Sequence, residues 1–345
     1  MKQATAPAVS NIDADRHNFG VRVEKVERAC GTWFRKPRTT HWEWLFFGKE
    51  SPLRPHFAVI GANGTLLSDY IFNLDVEQNE LWLGHSRNVP DEDGPLISHF
   101  YSFGILLAYT YVFGIRDLHC GNLVVTPTHL QVVDVEVVLA HLVLPHETVL
   151  LPFKQVTWQR AGVRKLISSP EQISATQAKA LLSGYLDLFT LVMEKRDDIL
   201  SALNASIDLR NPVRVLLRNT VEYIPESGAT MKYGLLPEEV QQLNRGDVPY
   251  FFKMIGAPDL LWIQSPNQYA KVESLSAFES DVVRHALQPD ILLSEKLVSP
   301  LRMAQGLFLI LQKFNLKDTF SFGDSTMVSG DKIVFRSISY KAANR

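Results

Sequence analysis

The sequence predicts an α+β fold of two lobes, a small strand-rich one over residues 1–90 and a larger, mostly helical one over residues 91–345. Three observations lead there. Residues 20 to 85 carry short β-type runs between turn residues, residues 96–114 show helical apolar spacing, and the pattern beyond residue 170 is mostly helical. At 345 residues, 46% apolar and 21% charged, the chain has material for two packed lobes or two to three small domains.

Taken in order, "VRVEKVERA", "TWFRKP", "HFAVI" and "ELWLGH" read as strands separated by Gly, Asn and Pro signals. "DEDGP" at 91–95 is a polar break. "LISHFYSFGILLAYTYVFG" then reads as a helix that stops at Gly114, a C-cap glycine. A loop and hairpin follow in "GIRDLHCGNLVVTPTHLQVVDVEVVL", residues 114–139. "SATQAKALLSGYLDLFTLVMEKRDDILSALN" opens on a Ser N-cap and is long enough for two helices, and "SPLRMAQGLFLILQKF" predicts another.

Composition removes several function classes. The 35 basic and 37 acidic side chains are interspersed, so the net charge of -2 gives no footprint for nucleic acid or an anionic membrane. The two cysteines, Cys30 and Cys120, supply neither a disulfide framework nor a paired zinc motif, which points to a reducing compartment. The N-terminus lacks an apolar signal region and the longest apolar run, "FGILLAYTYVFGI", is too short to span a bilayer. The expected address is the cytoplasm. No GxxxxGK[ST] occurs, and "GANGT" at 61–65 reads as a hairpin turn, so a P-loop NTPase is not expected.

The chemistry concentrates in residues 114–139. Strict alternation in "LQVVDVEVVL" puts Val133, Val135 and Val137 on one face and Asp134 with Glu136 on the other. "DLHCGN" holds Asp117, His119 and Asn122 in a turn. Magnesium takes carboxylate and amide oxygens, one or two from protein and the rest from phosphates and water, and Asn122 with Asp134 suits that role. Phosphoryl transfer also needs an acid to orient or deprotonate the attacking hydroxyl, for which Asp117 is the candidate. On this segment alone, a hairpin with a solvated acidic face is an equal reading.

With its preceding helix, "HFYSFGILLAYTYVFGIRDLHCGNLVVTPTHLQVVDVEVVL" resembles the helix, catalytic loop and metal-binding strand of the dehydratase domain of class II lanthipeptide synthetases, the LanM family. That family is similar in fold to lipid kinases. Three more segments carry the likeness in the family's order: "DADRHNFGVRVEKVERACGTWFRKPR" its GDxH segment and YKPR strand, "NPVRVLLRNTVEY" its R-x5-T helix, and "LNRGDVPYF" its GDIPYF motif. The likeness covers most of residues 13–255 and is loose over the last ninety.

The resemblance implies a bilobal kinase-like fold with Asp117, His119 and Asn122 as catalytic loop and Asp134, with Glu136 close by, holding Mg²⁺ against the phosphates of ATP. Lys36 would take the nucleotide-facing strand position. Asp15, His17, Lys36, Arg214 and Thr220 would then eliminate phosphate from phospho-Ser or phospho-Thr. That step needs an α-proton removed, an enolate stabilised and a departing phosphate supported. A lysine neutralises the enolate, arginine and a hydroxyl grip the phosphate, and His17, positioned by Asp15, shuttles a proton. Which of Lys36 and His17 takes the α-proton is open.

Family members are far longer and end in a cyclase whose zinc is held by Cys and His; no such cluster is present. The expectation is a stand-alone dehydratase acting on a ribosomal precursor peptide, with a separate cyclase or leader-binding protein as partner. A kinase without elimination and a nucleotide- or peptide-binding pseudokinase are the alternatives. Arg214 and Arg218, four apart, read as one face of a helix, and Cys120 as a packed thiol.

Overall fold

Five strands form the first sheet: β1 (Val9–Asn11), β2 (Glu24–Arg28), β3 (Gly31–Lys36), β4 (Asp75–Glu80) and β5 (Leu83–Arg87). They are antiparallel in the order β1-β2-β3-β5-β4. The computed structural model describes residues 9–11, 16–29, 31–80, 83–87, 95–153, 156–218, 220–223, 234–266, 268–273, 275 and 292–341. Strand β3 is central and stops at Lys36, because Pro37 has no N–H to continue a ladder. Alternation leaves Arg35 exposed and turns Lys36 into the protein.

Between β3 and β4 the chain is helical, with α1 (His41–Phe47), a 3-10 turn (Arg54–Phe57) and α2 (Leu67–Ile71). "HFAVI" is therefore not a strand. Pro55 starts the 3-10 turn, Phe57 enters the core, and Ile60 is left 69% exposed. Helix α3 (Ile97–Val112) ends as the sequence predicts, with Gly114 at φ 62° after its C-cap. Helices α4 (Ala175–Glu194) and α5 (Arg196–Ser206) divide the long helical pattern, and Ser174 opens α4 with a capping box to Gln177.

Helices α3 and α4 cross at two glycines. A Cβ on Gly104 would fall on the Leu181 carbonyl oxygen, and one on Gly184 on the Tyr101 carbonyl oxygen. The backbones themselves are in contact there. One hydrophobic core runs from Trp42 through both helices to Phe335, so residues on both sides of position 90 share it.

After α5 the chain departs from expectation. A hairpin of β6 (Leu123–Val125) and β7 (Leu130–Val132) precedes it, and two four-stranded antiparallel sheets follow. The first, ordered β11-β10-β9-β8, contains β8 (Pro212–Val215), β9 (Phe251–Met254), β10 (Leu261–Ser265) and β11 (Gln268–Lys271). The second is a meander of β12 (Phe320–Phe322), β13 (Thr326–Val328), β14 (Lys332–Phe335) and β15 (Ile338–Lys341). Among the described residues after α5, α6 (Pro237–Asn244) and α7 (Pro300–Lys313) are the α-helices named. The fold is mixed α+β, but among the described residues after α5 strands and loops outweigh helix. Strands of three to five residues complete two periods at most, too few for alternation to declare itself. Among the described residues no helix is long and apolar enough to cross a membrane.

Gly184→Ala should destabilise the chain by roughly 1–3 kcal/mol, because backbone on α3 cannot yield to a methyl. Urea denaturation measures it; an unchanged midpoint would show that the helices slide apart freely.

Candidate active site

The end of β3 delivers two cations to one buried carboxylate. Lys36 Nζ donates to Glu43 Oε1 at 2.9 Å, to the Val133 carbonyl at 2.5 Å and to Asp134 Oδ1 at 3.1 Å. Two residues on, Arg38 grips both oxygens of Glu43, reaches Asp134 with Nη2 and pairs Nε with Glu136 Oε1 at 2.9 Å. Glu43 stands in the first turn of α1, fully buried in an otherwise aromatic stretch, and also accepts from Val135 N. Its burial works to raise the carboxyl, and the charges of Arg38 and Lys36 overcome that and hold it below its ordinary value.

Residues 133–138 are outside the ladder, since β7 ends at Val132. Burial still alternates, with Val133, Val135 and Val137 inside and both acids meeting Arg38. The shared face read from the sequence is therefore present without the strand. Asp134 keeps 37% of its side chain exposed. Burial again opposes its charge, but Lys36 and Arg38 hold its carboxyl well below the usual range.

Asp117 goes the other way. It occupies the left-handed region at φ 65°, which Asp tolerates better than most residues. Burial pushes its carboxyl up, against the charges of His119 and Arg214 and with those of Asp134 and Glu136. Asn122 Nδ2 donates to the Asp117 carbonyl at 2.8 Å, and its own carbonyl accepts from Val133 N at 3.1 Å. That pair of bonds seats Asn122 beside the residue preceding Asp134. His119 is folded into the loop, its Nδ1 accepting from Gly121 N at 3.0 Å. Cys120 Sγ lies 3.5 Å from the Gln159 carbonyl, a half-buried thiol.

"NPVRVLLRNTVEY" is not a helix but β8 followed by a 3-10 turn, Thr220–Tyr223. Its β-branched pairs favour the extended form. On β8, Arg214 N donates to the Glu136 carbonyl and Arg214 Nη1 reaches Glu136 Oε2 at 3.3 Å. Arg214 is 7% exposed, its guanidinium packs on the Tyr250 ring at 5.1 Å, and its Nε and Nη2 have no hydrogen-bond partner. Arg218 serves elsewhere, bound to Glu239 through two nitrogens at 2.6 and 2.7 Å. Among the described residues no bond joins Thr220 to the Asp134 cluster.

His17 arrives from the far end of the sequence. Its Nδ1 is 2.9 Å from the Val248 carbonyl and its ring meets Tyr250 edge-on at 5.5 Å. A carbonyl only accepts, so Nδ1 carries the proton and Nε2 is the basic nitrogen. The Val248 carbonyl, in "GDVPYF", holds His17 Nδ1; Asp15, expected to position this histidine, lies outside the described residues. Sequence reading missed Arg38, Glu43 and Tyr250. The signal for Glu43 was one acid inside "HWEWLFF".

For magnesium, the donor set fits in part. Asp134 binds both cations through Oδ1, and the Asn122 amide donates through Nδ2, which leaves Asp134 Oδ2 and Asn122 Oδ1 as hard acceptors. Glu136, expected beside the metal, has each oxygen on a guanidinium instead. Among the described residues no group of three or more His, Cys, Asp or Glu is arranged for a metal ion. Magnesium with phosphate needs only one or two protein ligands. No protein-family model matches the chain, and no curated protein matches it.

Glu43→Ala should cost about 3–5 kcal/mol, because it strands two buried cations. Asp134→Ala, more exposed, should cost no more than about 3 kcal/mol. Chemical denaturation compares them, and equal losses would remove Glu43 from the centre of the cluster.

The pH signs oppose each other. Glu43 and Asp134 contribute stability above the ordinary carboxylate range and lose it as pH falls through their lowered values. Asp117 costs stability once ionised above its raised value. Asp117→Asn should therefore melt higher than wild type near neutral pH. The gap should close below about pH 3.9, the ordinary Asp value; a gap constant with pH would contradict the assignment.

Proposed function

We propose that the chain is a kinase-like peptide dehydratase that phosphorylates a Ser or Thr hydroxyl with ATP and eliminates the phosphate at the same site. One observation carries the reading: a buried arginine with two unspent donors, Arg214, is tied through Glu136 to the Lys36–Arg38–Asp134 cluster. Leaving buried guanidinium nitrogens unpaired is costly unless an anion completes them, and phosphate presents oxygens to such a fork.

In the transfer step, Asp117 faces the incoming hydroxyl as its base, and its raised carboxyl brings proton affinity closer to that task. Lys36 and Arg38 keep Asp134 ionised. Asp134 and Asn122 would hold Mg²⁺, which supplies charge neutralisation for the phosphates of ATP. In the elimination step, a base removes the α-proton, the C–O bond to phosphate breaks, and the electron pair leaves with the phosphate. His17, with Nε2 basic, is the candidate base at the edge of the cluster. Arg214 receives the departing charge, and Lys36, whose three N–H groups hold Glu43, the Val133 carbonyl and Asp134, must release one of them to meet the enolate oxygen. The reading includes a bilobal kinase-like arrangement in which the β1–β5 sheet would cover the nucleotide.

A kinase without elimination is the second reading, favoured by the lack, among the described residues, of any bond from Thr220 to the Asp134 cluster. The two separate by mass spectrometry of a candidate precursor peptide with ATP and Mg²⁺. Loss of one water per residue supports dehydration, whereas gain of a phosphoryl group that persists supports the kinase. Asp134→Ala should abolish both products. Arg214→Ala should slow elimination about 100–1,000-fold and let phosphopeptide accumulate, the usual effect of removing a charge-stabilising donor. Dehydration untouched by Arg214→Ala would overturn the role given to it.

A further inference from the structure

A cavity of about 540 Å³ is lined by residues adjoining those that build the site. Pro37, between Lys36 and Arg38, lines it, and so do Asn18 and Phe19, directly after His17. The opposite wall is the β10–β11 hairpin, through Ile263 and Tyr269. Phe19, Val21 and Tyr269 are 43%, 45% and 46% exposed, a concentration of uncovered apolar surface in one concave place.

The turn that presents Phe19 is held in an unfavourable shape. Asn18 and Phe19 both have positive φ, 51° and 72°, which is a steric outlier for an aromatic residue. Asp247 enforces it, accepting Phe19 N and Gly20 N at 2.8 Å each, while Arg245 lies over the Phe19 ring at 4.1 Å. Strain of this kind is retained where a ligand uses the resulting surface. The polar groups of the cavity match a peptide. Asn18 Oδ1 is buried with no hydrogen-bond partner. Arg35 is paired with Glu24 at 2.9 Å, whereas Arg22 has no partner among the described residues, so the rim carries one uncompensated positive charge.

We propose that this cavity binds a bulky apolar side chain of the peptide substrate, with an acidic residue next to it held by Arg22; the proposal rests on the peptide-modifying reading above. Asn18 Oδ1 accepts a backbone N–H of the same extended segment. The reacting Ser or Thr then lies a few residues away, across Pro37 and His17, at the Asp134 cluster.

The test is a positional-scanning library of biotinylated peptides with one fixed Ser, bound to the full chain, together with a fluorescent ATP analogue and Mg²⁺ as a separate probe. Wild type should select an aromatic residue or Leu beside Asp or Glu. Val21→Trp, which fills the cavity, should weaken retention of those peptides by about tenfold, the factor that ~1.4 kcal/mol represents. Arg22→Glu should shift the preference from acidic to basic neighbours, a reversal that general misfolding does not produce. Both variants should bind the nucleotide probe as wild type does. No selective retention by wild type, or the same selection in both variants, overturns the proposal. Peptide selection without nucleotide binding would leave the cavity standing and sink the kinase reading instead.

Discussion

Two cations share one buried carboxylate at the end of β3, and the rest of the site is arranged around that constraint. Lys36 and Arg38 are 4% and 7% exposed, and Glu43 is fully buried, so none of the three is stable alone at its position. Taking such charges out of water is tolerable only with full pairing. Arg38 therefore spends its guanidinium on Glu43, Asp134 and Glu136, and Lys36 adds the Val133 carbonyl. This fixes α1 and residues 133–136 against β3. Thr39 to Asn211 and Trp42 to the Pro212 carbonyl, both 2.8 Å, then carry the same rigidity to the start of β8 and so to Arg214.

The cluster also separates its acids. Asp134 stays ionised because two cations face it, while Asp117, a short loop away, is pushed toward the neutral form by burial. Two carboxylates with pKa values driven in opposite directions are a recurring basis for dividing labour in an active site. Here the division follows from position. Asp134 lies at the open side of the cations, and Asp117 is fixed at a left-handed turn by the Asn122 amide on its carbonyl.

Much of this was legible where a local rule governs the residue. Gly114 stops α3 because a left-handed C-cap favours glycine, and Ser174 opens α4 because its hydroxyl and Gln177 exchange bonds. Alternation correctly put Asp134 and Glu136 on one face, though it did not reveal that the ladder ends at Val132. Long-range pairing was not legible. Glu43 looks like a stray acid in an aromatic helix until Lys36 and Arg38 fold onto it, and Arg214 looks helical because its strand is only four residues long. Glu136 was assigned to a metal from its neighbour's role, whereas two arginines occupy it.

Sharing Glu136 between two arginines has a physical consequence for the geometry of the site. A carboxylate shared by Arg38 and Arg214 holds the two guanidinium groups at a fixed separation that neither β3 nor β8 alone would set, since the strands belong to different sheets. One arginine stands at the cations that face Asp134, and the other keeps two donors in reserve. On the proposed reading, a phosphoryl group placed on substrate by the first set is already within the field of the second. Elimination then requires movement of a side chain and a proton rather than release and rebinding of the peptide.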